Sequence, residues 1–589
     1  MPSRPLVACA AALALALVNW AAADIIYVDD SATGASTGLT WADAHTNLAA
    51  GLAAAEPGDE IRIGQGTYRP AEPDGDRNAT FEILESITLV GGYAGVGAVD
   101  PDANDPAAFP TILSGDLNDN DPNDFGYSQQ DFARAAENAF HVIVIEAVGV
   151  VVQGVTIRDG HGYDDITDDH SAGGVWALDG SEATFNNCRI QHNRAILHGA
   201  GIYAPNAIIE LNDCTFKRNR SFHDSTIPST GNGAWLGDGS SVSGCSFIDN
   251  FGAHIGAGLF ANDCTIASTL FDNNFGVVQG SAIAGENLTI TDCTFTRNSG
   301  FGGTVALADS TIAGCSFTDN NTSGGTAIRT LDGSIVAIED CVFRGNAGTA
   351  IRSDATTSIV RCDFIQSGES SSGGLGAAIF NAGPLNLAMC RFLGNAADRG
   401  GAIYNSDILR AVSCVFSGNA ATESGGAIYN VALARIYNCT FAGNSCGGNN
   451  GGGALYNGSA LFIDNSILWN NRDGNDAGRH AQAYNNDDDM RLRNCIVQGM
   501  PLLATAVGNI GANPLFRDAD GPDNIAGTED DDLRLRSNSP ARDSGDNDLL
   551  PPDVLDLDGD ANTAEPSSRD LDDRARIRHG TVDRGALEG

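Results

Sequence analysis

One phrase recurs through the middle of this chain and constrains its fold more than any other feature: a cysteine, any residue, a phenylalanine or isoleucine, two residues, and an asparagine. It runs from Cys188 to Asn193, Cys214 to Asn219, Cys245 to Asn250 and Cys293 to Asn298, and continues from Cys315, Cys341, Cys390, Cys414 and Cys439. Thr269 and Ser466 replace the cysteine in two copies, while Cys362 and Cys495 keep it and lose the asparagine. The copies recur about every 26 residues, a period that marks a solenoid. A second phrase alternates with the first: Gly400-Gly401-Ala402-Ile403-Tyr404-Asn405, Gly425 to Asn430 and Gly452 to Asn457, with looser forms at Gly199 to Tyr203, Gly256 to Phe260 and Gly324 to Ile328. Short β-branched or aromatic segments between Gly, Asn and Asp turns are strand vocabulary. The expected fold is all-β: a right-handed parallel β-helix over residues 140–500, with successive turns about 4.8 Å apart.

That geometry carries further expectations. The phenylalanines at 216, 247, 271, 295, 317, 343, 364, 392, 416 and 441 should form an internal stack. The asparagines should form a ladder at a tight turn, since Asn tolerates left-handed backbone angles and its amide can bond to the next along the axis. The chain has 14 cysteines, which in an exported protein suggests disulfides. Here they share a face with the phenylalanines, and parallel Cβ vectors about 4.8 Å apart exceed disulfide spacing, so buried free thiols are expected. Cys264 and Cys446 fall off this register.

The flanks differ. Arg4, the apolar run from Leu6 to Val18 and Ala21-Ala22-Ala23 read as a signal peptide over residues 1–23, so a secreted or cell-surface location is expected. No later segment approaches the roughly 20 apolar residues of a membrane span. Residues 24–139 read as a cap and first irregular turns. Thr40 to Ala55 is predicted as an amphipathic helix, N-capped by Thr40, that covers the open end of the coil. Strand-like pieces follow at Glu60 to Ile63, Ile87 to Val90 and Val142 to Ile157. Residues 501–589 form an acidic, irregular segment. There Asp518, Asp520, Asp556, Asp558 and Asp560 are either a ligand set for calcium, since alternating carboxylates can converge on a hard cation, or solvated acidic turns. A formal charge of −42 speaks against nucleic acid and anionic lipid as partners. A monomer is expected.

The Gly-Gly-Ala-Ile and Phe-x-x-Asn phrases resemble the repeat of the polymorphic outer-membrane protein family, whose passenger regions are β-helical adhesins. The opening Ile26-Tyr27-Val28-Asp29-Asp30, Trp41-Ala42-Asp43-Ala44 and Gly58 to Tyr68, with the closing Asp570 to Arg574 and Val582 to Glu588, are similar to surface proteins described as choice-of-anchor Q. These resemblances imply export and a β-helix, and say little about activity. The terminal membrane barrel of autotransporters has no counterpart after residue 500, which is acidic without alternating apolar strands.

β-helices also host pectin-acting enzymes, whose chemistry needs paired carboxylates, or a basic residue with charge neutralisation. Gly160-His161-Gly162 with Asp164-Asp165 resembles a polygalacturonase motif in reversed order and reads as a surface loop. Asp168, Asp169 and His170 extend the same polar insertion. Arg352, Arg361 and Arg391 offer an acidic-sugar track, or are scattered solvated arginines. The reading is a non-catalytic adhesin or scaffold that binds polysaccharide or cell-surface glycan along its long face, with no catalytic residues assigned. The alternative is a polysaccharide lyase or glycoside hydrolase acting on acidic polysaccharide.

Overall fold

The computed structural model describes residues 23–121, 135–162, 171–221, 229–252, 254–368, 374–448, 451–474, 476–486, 489–500 and 507–589. Among them, three long sheets wind around one core, each strand pairing in parallel with its counterpart one turn away. Sheet 1 holds Glu182–Asn186, Ile208–Asn212, Ser241–Ser243 and their successors, 17 strands in all. Sheet 2 holds Arg189–Gln191, Thr215–Lys217, Ser246–Ile248 and theirs, 16 strands. Sheet 3 holds Val175–Ala177, Ile202–Ala204, Ala234–Leu236 and theirs. The coil has the right-handed sense that parallel crossovers take.

The repeated phrase sets the register. Phe216, Phe247, Phe271, Phe295, Phe317, Phe343, Phe364, Phe392, Phe416 and Phe441 pair in unbroken sequence on sheet 2 and are wholly buried. Their rings stack with centroids 4.5 to 5.1 Å apart. The asparagine ladder forms as well, but the left-handed residue is the one before each asparagine, as at Arg218, Asp249, Asn273, Arg297 and Asp319. That reversal turns the amide inward. Asn274 Nδ2 donates to Asn298 Oδ1 (3.0 Å) and to the Phe247 carbonyl (2.9 Å), while Asn298 Oδ1 also accepts the Asn274 N–H (3.0 Å). Each buried amide is thereby satisfied by its neighbours. Gln482 takes the last rung beneath Asn471.

The cysteines occupy the corner between sheets 1 and 2. All 13 described cysteines are buried and free. The Sγ atom accepts a backbone N–H from the preceding turn, as Cys214 does from Cys188 (3.4 Å). Thr269 and Ser466 do the same with hydroxyls, so the position selects a small inward acceptor. Cys264 lies instead at the corner before a sheet 1 strand, and Cys446 in a short ladder after the asparagines.

The helix at the first end is shorter than predicted. It spans Leu48–Ala54 and is capped by Asn47, whose Oδ1 accepts the Ala50 N–H. Thr40 belongs to a turn in which its hydroxyl accepts from Asp43. The intervening chain bonds to the edge of the first strand, Ile25–Val28, through His45 and Gly38. Trp41 packs edge-on against Tyr27. Edge pairing thus outcompetes helix over residues 38–45, and Leu48 still closes the core. The predicted piece Val142 to Ile157 resolves into three strands, Ile143–Ile145, Val150–Gln153 and Val155–Arg158, one in each sheet.

The acidic segment is irregular apart from one antiparallel pair, Phe516–Asp518 with Asp532–Leu535, and a short 3-10 turn at Asn547–Leu549, yet it has its own place. It folds back along the outside of sheet 2, where Leu533, Ala586 and Leu587 bury Ile365, Leu393, Val415 and Ala442 and partly cover Val342. Leu535 and Ala541 cover Ile467 and Ile496.

Candidate functional site

Alternation along each sheet 3 strand points the middle residue outward. In chain order these are Trp176, Tyr203, Trp235, Phe260, Ala284, Ala306, Arg329, Arg352, Phe380, Tyr404, Tyr429, Tyr456 and Tyr484, each paired with the next. All nine aromatic members are half-buried. From Phe380 to Tyr484 the rings stack with centroids 4.5 to 5.8 Å apart, so their faces cover one another. The ring edges are then what remains to face solvent, and the Tyr429 and Tyr456 hydroxyls lie close enough to interact. In the upstream tract, Trp235 stands across both Tyr203 and Phe260. The Gly-Gly phrase makes room for this row: a Cβ on Gly425 (φ +66) would lie 2.9 Å from Tyr429 Cα, and one on Gly231 (φ +60) 3.0 Å from Trp235 Cβ.

The three arginines proposed as a track do not share a face. Arg352 lies in the sheet 3 row and pairs with Asp354 at 2.8 Å. Arg361, at the corner of sheets 1 and 2, binds Asp340 (2.7 Å) and Glu339 (3.3 Å). Arg391 is on sheet 2 and engages Asp363.

Gly160-His161-Gly162 is not a surface loop. His161–Gly162 pairs with Arg194–Ala195, and His161 is 1% exposed. Burial pulls its imidazole down to about 3, and pushes the neighbouring Asp159 carboxyl up to about 6 and Asp121 up to about 7. Asn138 ties this corner together, donating through Nδ2 to Asp121 Oδ2 and to the Asp159 carbonyl. Asp164, Asp165, Asp168, Asp169 and His170 lie outside the described residues.

In the acidic segment the geometry groups Asp556, Asp558 and Asp560, with ligand atoms all within 4.8 Å of one another. Asp553, Asp558 and Glu565 form a second, overlapping group, joined where Pro552 bridges to Pro566 and closes the loop. Burial, aided by the Asp558 charge, raises Asp553. Asp558 Oδ1 is enclosed without a hydrogen-bond partner. An all-oxygen set of this kind could hold a metal ion, and suits a hard one. Asp518 and Asp520 stand apart from both groups, Asp518 facing Asp532 in the hairpin.

The closing residues Asp570 to Arg574 and Val582 to Glu588 build a latch. Arg576, 1% exposed, donates to the carbonyls of Ala586 and Gly585 and lies 3.5 Å from Glu588. Arg584 reaches the Cys495 carbonyl, Gly585 N–H the Asn465 carbonyl, and Ala586 N–H the Thr440 hydroxyl.

A parallel coil carrying an outward aromatic row and a docked acidic latch defines a solenoid protein with one long decorated face. Residues 141–317 and 304–467 match the family described as right handed beta helix region, more than half the chain, and the protein belongs to that family. No curated protein matches its sequence. Similar solved structures include pectate lyase Pel9A (12% identity, 97% of each chain covered, TM-score 0.21). Another is the catalytic unit of a GH87 α-1,3-glucanase from Streptomyces thermodiastaticus (12%, 69% of this chain and 66% of that one, 0.29). A third is tailspike protein 3 of bacteriophage CBA120 (12%, 83% and 65%, 0.29). These values transfer no activity. Among the described residues no helix is long and apolar enough to cross a membrane.

Proposed function

We propose that this protein is an exported, non-catalytic β-helix that binds glycan along the outside of sheet 3, an adhesin or surface scaffold of the choice-of-anchor Q kind, with a calcium ion in the loop from Asp553 to Glu565. The observation that carries the reading is the aromatic row, above all Phe380, Tyr404, Tyr429, Tyr456 and Tyr484. A rigid row of tyrosines offers broad contact area at little entropic cost, with hydroxyls to bond sugar hydroxyls. Its repeat follows the coil rise, comparable to one sugar ring of an extended polymer. Export rests on the signal-like leader.

The test is calorimetry against a polysaccharide panel, comparing the native chain with Tyr404→Ala/Tyr429→Ala/Tyr456→Ala. Each truncated anchor should cost on the order of 1 kcal/mol, so the triple variant should lose at least tenfold in affinity while melting normally. Unchanged affinity would refute the site. Release of reducing or unsaturated ends by the native chain would replace the reading with the lyase or hydrolase alternative.

A further inference from the structure

The aromatic row is interrupted. Between Phe260 and Phe380 it passes through Ala284, Ala306, Arg329 and Arg352, so two apolar tracts flank two small residues and two arginines paired in register on adjacent strands. Both arginines share a single acidic partner, Asp354 Oδ2, at 3.4 Å and 2.8 Å. Two cations against one carboxylate leave a local positive charge on a chain whose formal net charge is −42. The side chains stay accessible, at 34% for Arg329 and 42% for Arg352, whereas Asp354 is only 14% exposed. Arg329 Nε is enclosed on the Asp354 side, so the exposed part of its guanidinium group is the outer end. Arg352 is held by Phe380, its guanidinium carbon 4.8 Å from the ring centroid, which fixes its plane without consuming its outer N–H donors.

From this charge complementarity we infer that the Arg329–Arg352 step is an anion subsite within the row, and that the glycan bound there is a uronic-acid polymer, its carboxylate received by the paired guanidinium groups. The inference rests on the proposed glycan-binding reading and names the ligand class for the same face. The C–H edges of the sugars would lie against the aromatic tracts, and a carboxylate would fix their register at the arginines. Forked guanidinium donors match the two oxygens of a carboxylate.

The experiment compares binding of two matched probes, a β-1,4-linked glucose hexasaccharide and a β-1,4-linked glucuronic acid hexasaccharide, by the full chain. The native protein should prefer the glucuronate at least tenfold, and the preference should shrink as salt rises. Arg329→Gln/Arg352→Gln should erase the preference by weakening glucuronate binding at least tenfold more than glucose binding. Arg329→Lys/Arg352→Lys should restore part of it, and Asp354→Asn should strengthen glucuronate binding. Equal native affinity for the two probes would overturn the anion subsite and leave the glycan reading standing. Binding of neither probe would overturn both. A glutamine variant that keeps the preference with a native melting profile would place the carboxylate elsewhere and overturn the assignment.

Discussion

Replacing Arg576 by methionine should release the latch without unfolding the coil. The guanidinium is enclosed, donates to the Ala586 and Gly585 carbonyls, and is the cation nearest Glu588, itself 2% exposed. Methionine fills much of the space and leaves the Gly585 carbonyl without a donor, while the Ala586 carbonyl keeps only the Leu571 N–H and the Glu588 carboxyl only the Asp583 N–H. With Glu588 neutral in the folded latch, the loss is that of two hydrogen bonds from a charged donor, about 1.5–3 kcal/mol each, or about 2 to 4 powers of ten in the latch equilibrium. The Gly585 and Ala586 amides, bonded to Asn465 and Thr440, report that equilibrium by hydrogen exchange. They should exchange faster by that factor, while the Thr294 and Ser316 amides, bonded to Thr269 and Cys293 within the coil, should not change. Above the pH at which Glu588 ionises, about 8, Arg576→Met/Glu588→Gln should recover part of the loss, because no uncompensated carboxylate is then buried. Unchanged exchange at Gly585 and Ala586 would refute the reasoning. Equal acceleration at Thr294 would show that latch and coil open as one unit.

The same latch should depend on pH. Burial pushes the Glu588 carboxyl from 4.5 up to about 8, against the pull of Arg576. The folded latch therefore prefers the protonated form. Its contribution is complete below the unfolded value of 4.5 and is lost as pH rises towards and through about 8. In the native chain, protection of the Gly585 amide, corrected for intrinsic exchange, should fall across that window, and Glu588→Gln should flatten the profile.

Phe317→Ala removes a ring stacked 4.6 and 4.9 Å from its neighbours and should cost about 3–5 kcal/mol in thermal or denaturant unfolding of the coil. A loss below 1 kcal/mol, about the scale of a surface change, would mean the stack is not integral to the core. Burial pushes Cys264 and Cys495 up to about 12 and Cys446 up to about 11, so a thiol reagent should label the native protein only on the timescale of unfolding. Rapid native labelling, or a mass showing several disulfides, would contradict this. Calcium should protect the loop from Asp553 to Glu565 against proteolysis and magnesium should not, since magnesium keeps its waters and a stricter octahedral shell. Asp558→Asn should abolish that protection, and identical cleavage with and without calcium would leave the loop as solvated turns.

What the sequence discloses follows from what each position must satisfy. Inside a stacked coil every turn presents the same cavity, so Phe295, Phe317 and Phe343, or Asn274 and Asn298, repeat in kind and can be read by eye. The left-handed positions escape because they face solvent and vary, from Arg218 to Asp249 to Asn273; only their place before the inward asparagine is constant. The aromatic row was legible in principle. Tyr404, Tyr429 and Tyr456 each follow an inward isoleucine or leucine by one residue, and period-two alternation puts them outside. The latch left a similar mark. The outward positions of sheet 2 are mostly polar up to Thr318 (Thr215, Lys217, Thr294, Thr296 and Ser316, with Ile248 and Leu270 as exceptions), and then carry an apolar residue on turn after turn at Val342, Ile365, Leu393, Val415 and Ile467. An apolar stripe that begins partway along a solvent face requires a cover, and the segment after residue 507 supplies it. The acidic loop was legible only as far as local chain geometry reaches. Alternation brings Asp556, Asp558 and Asp560 together, whereas Asp553 and Glu565 arrive through closure of the loop at Pro552 and Pro566, and Asp518 shares their composition without their neighbourhood. A ligand set is therefore defined by which carboxylates a turn folds onto one point, and the density of acidic residues along the chain does not identify it.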